Sequence, residues 1–276
     1  MKDKSVLIFD ADKRFEYIRK YLTENGFRAV TASVFDEDIL LSAVGCFEGI
    51  VLPLPVSSDA ATLNFGRVKK PVALEALADA VGRNTAVFGG KVSEEVRRIF
   101  ARRDVSVTDY YDNDFIYKNA ELTARALFML FEGKGIDVVG KNILITGFGR
   151  TAKELVKQCD VRGLSYTVAA RSQSAQNSAE REGISFVKLE NFTDVLPQID
   201  IVINTVPALI FRSTELGALK KNAVFADIAS APFGASEQTA AEMGVRLIRA
   251  LSLPGKYLPA EAGALIGKRV LTYLRR

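Results

Sequence analysis

The stretch Lys141-Asn-Ile-Leu-Ile-Thr-Gly-Phe-Gly-Arg-Thr-Ala152 constrains the fold more than any other part of the chain. A short apolar run, residues 143–145, leads directly into Gly147, Phe148, Gly149, Arg150, Thr151 and Ala152, and then into a helical pattern with Leu155, Val156 and Cys159 on one side. That order reads strand, tight turn, helix. The helix is expected to reach about Arg162, Gly163 breaks it, and residues 165–170 make a second strand, closing a βαβ unit of about 30 residues. In the dinucleotide-binding form of this unit the first glycine permits the turn, and the second lets the backbone approach a pyrophosphate. A third small residue, here Ala152, lets helix and strand pack closely. Amides at the helix N-terminus then point at the phosphates, where the helix dipole also favours negative charge. A plain βα turn also tolerates three small residues at this spacing, so the pattern takes its weight from the unit around it.

The end of the second strand bears on which dinucleotide is held. An NAD site usually carries Asp or Glu there for the ribose hydroxyls, whereas a 2′-phosphate needs a basic residue. Here the residues are Arg171 and Ser172, both able to donate to phosphate oxygens. The expected cofactor is NADP, with NAD left open, since an exposed Arg at a strand end is also an ordinary surface feature.

Composition narrows the chemistry. The chain of 276 residues is 48% hydrophobic and 25% charged, enough for a large core and two domains. It has no histidine, which removes His-dependent triads, most zinc chemistry and the His acid–base step used by many 2-hydroxy acid dehydrogenases. Cys46 and Cys159 lie apart in apolar stretches, so neither a disulfide framework nor a metal site is expected. No apolar run reaches the roughly 20 residues that span a bilayer, and the N-terminus lacks a signal-peptide pattern, so a cytoplasmic protein without membrane attachment is expected. A net charge of +4 with no nucleic-acid motif suits small anionic substrates better than nucleic acid.

Periodicity gives an α/β chain of two doubly wound parallel-sheet domains, the second a Rossmann dinucleotide-binding domain. The first domain is expected over residues 1–112, with strands at 5–9, 27–31, 49–55 and 85–88 and helices at 13–25, 39–46, 73–81 and 93–103. A polar loop, 56–72, either borders a ligand cleft or is a long connection. A linker helix follows at 113–134, capped by Asn113 or Asp114. The second domain, 135–260, continues with strands at 199–204, 223–228 and 245–250 and helices at 215–221 and 236–243. Ligands in such sheets bind beyond the carboxyl ends of the strands, which selects Thr205, Val206, Pro207, Ala229, Ser230 and the segment from Leu251 to Tyr257 as site loops. Ordinary turn chemistry would explain each of them equally well.

Those loops carry a family resemblance. Ile203-Asn-Thr-Val-Pro-Ala208, Ala226-Asp-Ile-Ala-Ser230 and Ala250-Leu-Ser-Leu-Pro-Gly-Lys-Tyr-Leu-Pro-Ala-Glu-Ala-Gly263, in this order and spacing, resemble the A subunit of dipicolinate synthase, as do Val51-Leu-Pro-Leu-Pro-Val56 and the helix around Asn119. The resemblance implies a last helix, 261–276, that packs back on the first domain, and a cleft between the domains. It also implies a second subunit like a flavoprotein, together with oxidation of a dihydrodipicolinate-type precursor to pyridine-2,6-dicarboxylate in sporulating bacteria. Association with further copies of the chain is expected as well. The chain departs from the family where a glycine pair and Asp are common, having Phe9-Asp-Ala-Asp12, and where an Ile-Pro-Thr-Ala-Glu run is common, having Glu121-Leu-Thr-Ala-Arg125. Either the substrate differs or Arg125 faces solvent.

Removing a hydride and a proton from a dihydropyridine yields an aromatic ring, so orientation rather than driving force is what a protein must supply. A dicarboxylate needs cationic or amide donors. Lys256 is the first candidate, with Ser230, Asn119 and Thr123 as polar partners, although an exposed loop lysine is the plain alternative. Asp227, inside an apolar strand, is read as capping a neighbouring loop and is not assigned as the base. Two other readings stay open: a different NADP-dependent dehydrogenase of a small carboxylic acid, and a non-catalytic dinucleotide-binding partner of a flavoprotein.

Overall fold

The structure is a computed structural model that describes residues 5–32, 37–65 and 71–275. The chain divides into two compact units, Met1–Asn119 with Pro254–Arg276, and Ala120–Leu253. Both are α/β with parallel sheets.

The first unit runs β1 (Ser5–Phe9), α1 (Lys13–Glu24), β2 (Arg28–Ala32), α2 (Glu37–Val44), β3 (Gly49–Val51), α3 (Leu74–Ala80), β4 (Ala86–Gly89), α4 (Glu94–Ala101) and β5 (Val107–Asp109). The helix α5 (Asn113–Gly133) follows and is shared with the second unit. Among the described residues the sheet order is β2-β1-β3-β4-β5, every pair parallel. Alternation along β1 explains its burial on both sides: Leu7 and Phe9 enter the core on one face, Val6 and Ile8 that on the other. The strand expected at 49–55 stops at Val51, because Pro53 and Pro55 have no N–H to give a ladder. β5 has no counterpart in the expected pattern, being three residues long with one buried. In the expected 56–72 loop, Asp59 accepts from the amides of Ala61 (2.9 Å) and Thr62 (2.8 Å), while residues 66–70 lie outside the described residues.

Caps follow the sequence closely. The Asp12 side chain accepts from Arg14 N at the start of α1, and that of Ser93 from Val96 N at the start of α4. At α5 the cap is Asp112, whose Oδ1 accepts from Phe115 N at 3.0 Å, one residue before the expected position. The same carboxylate takes an ion pair from Arg269 and a hydrogen bond from the Tyr273 hydroxyl (3.3 Å), both on the last helix.

That last helix, α11 (Pro259–Leu274), begins two residues earlier than expected, because Pro259 is tolerated in a first turn. It packs along α1 through Gly263 and Gly267. A Cβ on Gly263 would run into the Arg14 carbonyl and, at 2.6 Å, the Tyr17 Cβ, so the helices approach to a distance that only glycine permits. Gly263→Leu is therefore expected to lower stability by more than the ~1–3 kcal/mol of ordinary overpacking. Urea unfolding measures it, and a midpoint equal to wild type would mean that the helices pack elsewhere.

The second unit, beyond α5, runs β6 (Asn142–Thr146), α6 (Arg150–Val161), β7 (Ser165–Ala170), α7 (Gln173–Arg181), β8 (Phe186–Lys188), two 3-10 turns, β9 (Ile201–Asn204), α8 (Ser213–Gly217), β10 (Val224–Asp227), α9 (Glu237–Glu242), β11 (Arg246–Arg249) and the one-turn α10 (Leu253–Tyr257), whose last residues fall in the first unit. Its order, β11-β10-β9-β6-β7-β8, is that of a Rossmann fold: counted from the unit's own first strand it reads 6-5-4-1-2-3. The order reverses between β6 and β9, and the carboxyl ends of these two strands flank the switch point. One face is sealed by Phe192, Phe211 and Phe225, stacked edge to face with centroids 5.1 and 4.7 Å apart. Cys159 is buried in α6, and burial pushes its thiol up to about 12, so it packs as an apolar group. Among the described residues no helix is long and apolar enough to cross a membrane.

Candidate functional site

The turn after β6 has the shape its sequence requires. Gly147 has φ +89°, and a Cβ there would collide with the Thr205 hydroxyl and lie 3.2 Å from Val206 Cγ2. Its N–H donates to Ala169 O of β7 at 2.8 Å, which ties the turn to the neighbouring strand. Gly149 differs: it caps α6 with φ −80°, and a Cβ there would meet nothing within 4 Å. Any residue could adopt that backbone, so the small side chain leaves space rather than relieving strain. Ala152 is fully buried beneath, where a larger residue would push α6 off the sheet. Helix α6 has no side-chain cap hydrogen bond at Gly149, so the backbone amides of its first turn, at residues 150–152, stand at a helix start that no capping side chain covers. This open space beside uncapped amides fits a dinucleotide pyrophosphate. Phe148 is half-buried, with the Lys153 ammonium 5.0 Å from its ring centroid.

A buried polar network holds the neighbouring loops. Asp227, Asn204 and Thr146 sit at the carboxyl ends of β10, β9 and β6 and are fully buried. Thr146 Oγ1 donates to Asn204 Oδ1 at 2.6 Å, and Asn204 Nδ2 donates to Asp227 Oδ1 at 2.8 Å and to Val206 O at 2.9 Å. Val206 N returns a bond to Asn204 Oδ1 at 3.1 Å, and the Thr205 hydroxyl donates to Thr146 O at 2.7 Å, so the Thr205-Val206-Pro207 loop is clamped against the glycine turn. Asp227 further accepts from Ala229 N (3.2 Å), Gly234 N (2.8 Å) and Arg249 Nη1 (2.5 Å), and Arg249 stacks on Phe233 at 4.2 Å. Asp227 thus caps the 229–234 loop, as its place in the strand suggests. Sequence reasoning passed over Asn204 and Arg249. The signal for Asn204 was present: a polar residue closing the wholly buried apolar run 201–203 needs partners.

At the end of β7, Ala170 is followed by the exposed Arg171, and no carboxylate stands there. Ser172 is the N-cap of α7, its Oγ accepting from Ala175 N at 3.1 Å and lying 3.1 Å from Ser174 Oγ. Beside Arg171 opens a cavity of about 530 Å³ lined by Leu189, Phe192, Leu209, Ile210 and Arg212 together with the carboxylates of Glu190 and Glu215. Leu251 is exposed at the end of β11.

The substrate-side candidates divide between the units. Asn119 and Lys256 belong to the first unit, Thr123 and Ser230 to the second. Lys256 is exposed, but it lies in α10 rather than in an open turn, because Pro254 is compatible with the first turn of a helix. Gly255 beside it packs on Arg14, where a Cβ would come 3.1 Å from Nε, and Arg14 is nearly buried in a 2.6 Å ion pair with Asp12. Ser230 is exposed, Asn119 and Thr123 are half-buried, and Arg125 is half-buried rather than solvent-facing.

Residues 117–242 match the family described as D-isomer specific 2-hydroxyacid dehydrogenase, NAD binding domain. The dipicolinate synthase A subunit of Bacillus subtilis (strain 168) is 23% identical over 190 residues, 68% of this chain and 64% of that protein's length. Glyoxylate reductase of Thermococcus kodakarensis is 34% identical over 101 residues, 34% of this chain and 29% of that protein. Among solved structures, the dipicolinate synthase A subunit from Bacillus halodurans superposes with a TM-score of 0.82 at 18% identity, covering 99% of this chain and 98% of that one, a likeness of fold. The chain therefore carries a segment of the NAD-binding type across its second unit and, taken whole, resembles the A subunit of dipicolinate synthase.

Proposed function

We propose that the chain is an NADP-dependent oxidoreductase subunit that converts a dihydrodipicolinate-type dicarboxylate to the aromatic pyridine-2,6-dicarboxylate. The observation that carries the nucleotide half is the open space over Gly149 beside uncapped helix amides, at the switch point of a Rossmann sheet. Arg171 at the strand end where an NAD site usually carries Asp or Glu favours NADP over NAD. The substrate half rests on the resemblance of the loops at 203–208, 226–230 and 250–263 to the dipicolinate synthase subunit. The nicotinamide supplies the hydride acceptor. The chain's own contribution is to fix the cofactor through residues 147–152, to present donors to the carboxylates, and to let the ring proton leave to water or a carboxylate.

A 2-hydroxy acid dehydrogenase is the second reading, favoured by the glyoxylate reductase match. The absence of histidine weighs against it, since interconverting an alcohol and a ketone needs a group that trades a proton with the oxygen, whereas aromatisation releases its proton from carbon or nitrogen. In the third reading the chain binds nucleotide without catalysis and organises a flavoprotein-like second subunit. Such a subunit, and association with further copies of the chain, belong to this proposal in its first form too.

Absorbance at 340 nm decides among them. With NADP and freshly generated dihydrodipicolinate the purified chain should reduce the nucleotide, and with glycolate, lactate or glycerate it should not. Reduction only with 2-hydroxy acids would sink the proposal, and NADP binding with no reduction by any substrate, even with a second subunit added, would favour the third reading. Lys256→Ala should raise the KM for the dicarboxylate, or lower turnover, by at least about tenfold while NADP affinity stays at the wild-type value, because a lysine acts as a point charge for carboxylate. Unchanged steady-state constants would make Lys256 a surface residue.

A further inference from the structure

Resting on the reading that the nucleotide is NADP, we infer that Arg212 is a specificity-determining residue that holds the 2′-phosphate together with Arg171. The two side chains line the same cavity at the end of β7, although 41 positions separate them in the chain. Neither guanidinium has a hydrogen-bond or ion-pair partner among the described residues. This contrasts with Arg14, Arg97, Arg103, Arg249 and Arg269, each of which holds a carboxylate.

The location fits the cofactor. Thr146 pairs with Ala169 and Gly147 N binds Ala169 O, so Arg171 emerges one step beyond the glycine turn on the adjacent strand. Arg212 arrives from the other side of the switch point, at the far end of the loop that begins with Thr205. Phe211 anchors it, fully buried between Phe192 and Phe225 and bonded through its N–H to Gly234 O at 2.9 Å. A fixed residue therefore precedes a long, exposed cationic side chain. Leu189, Leu209 and Ile210 supply apolar wall of the sort that suits a purine ring, with the two guanidinia beside it.

The chemistry calls for a second cation. A phosphate monoester carries close to two negative charges at neutral pH and three acceptor oxygens, and one guanidinium neutralises half of that. Ser172, the expected companion of Arg171, is held as the cap of α7 and has at most one proton to offer. Of the two carboxylates that also line the cavity, Glu215 accepts the Arg212 backbone N–H at 2.8 Å and is held at the start of α8. Glu190 is an acceptor suited to the exocyclic amine of adenine and would repel a misplaced phosphate.

Isothermal titration of NADPH and NADH into wild type, Arg171→Ala, Arg212→Ala and the double variant tests this, with melting temperatures confirming that each is folded. Arg212 is exposed, so its loss should leave the fold intact. Arg212→Ala is expected to weaken NADPH by about tenfold or more, as for the loss of a hydrogen bond to a charged group, while NADH changes by less than about twofold. An Arg212→Ala protein that keeps wild-type affinity for NADPH while Arg171→Ala loses it overturns the inference and leaves the NADP reading standing. Equal losses for both nucleotides also overturn it, assigning Arg212 to the adenosine they share. A wild-type protein that binds NADH as tightly as NADPH, with Arg171→Ala changing neither, overturns the NADP reading itself.

Discussion

Gly149→Val should fold like wild type and lose NADPH binding by more than about 100-fold. Both halves follow from the geometry. At φ −80° the backbone suits any residue, and a Cβ there has no neighbour within 4 Å, so valine costs the fold little more than its β-branching at a helix start. The space valine fills is the space a pyrophosphate needs to reach the amides of Arg150, Thr151 and Ala152. Gly147→Val is the instructive contrast. There the φ of +89° and the collision with Thr205 strain the turn, so stability and binding should fall together. Thermal unfolding alongside titration separates the two cases. If Gly149→Val binds NADPH as wild type does, the nucleotide lies elsewhere.

Asp227→Ala should be the most destabilising single truncation in the second unit, by about 3–5 kcal/mol. It strips four donors of one acceptor group: Asn204 Nδ2, Ala229 N, Gly234 N and Arg249 Nη1. Asp227 is fully buried and the Arg249 side chain is 19% exposed, so water can reach only one end of what is left. At roughly 2–4 °C per kcal/mol, the melting temperature should drop by about 6–20 °C. Asp227→Asn should fall by less, since an amide oxygen still accepts from part of the set. A loss under about 1 kcal/mol for Asp227→Ala would mean that the loops at 205–207 and 229–234 are held by packing rather than by this network. The consequence for function is position, because the same network clamps Thr205 and Val206 against the glycine turn.

The glycine turn was legible because three local signals agree at one place: an apolar run, GxGxxA, and a helical period with Leu155, Val156 and Cys159 inward. What escaped was short or polar. Helix α7, Gln173–Arg181, has one buried residue, Ala179, so no apolar period betrays it and only its Ser172 cap could have. Strand β8, Phe186–Lys188, is three half-buried residues at a sheet edge, and an edge strand needs no continuous apolar run. The helix expected at 215–221 shrank to Ser213–Gly217, where Gly217 closes the last turn. For the proposed nucleotide site, sequence order offers Arg171 as a candidate, because strand ends are readable from periodicity. It could not give Arg212, because only the fold carries a residue at the end of the β9 loop to the end of β7. The Asp227 network was half visible: a carboxylate in an apolar strand demands partners, but which donors converge on it depends on the register of β9, β10 and β11.

Hydrogen–deuterium exchange of the wild-type chain with and without saturating NADPH tests the central claim, that the dinucleotide lies on the turn between β6 and α6. The account predicts slowed exchange in peptides covering residues 147–152 and 205–207, and weaker or no change in peptides from β1 to α4. NADPH binding that leaves residues 147–152 exchanging at the free-protein rate would contradict it.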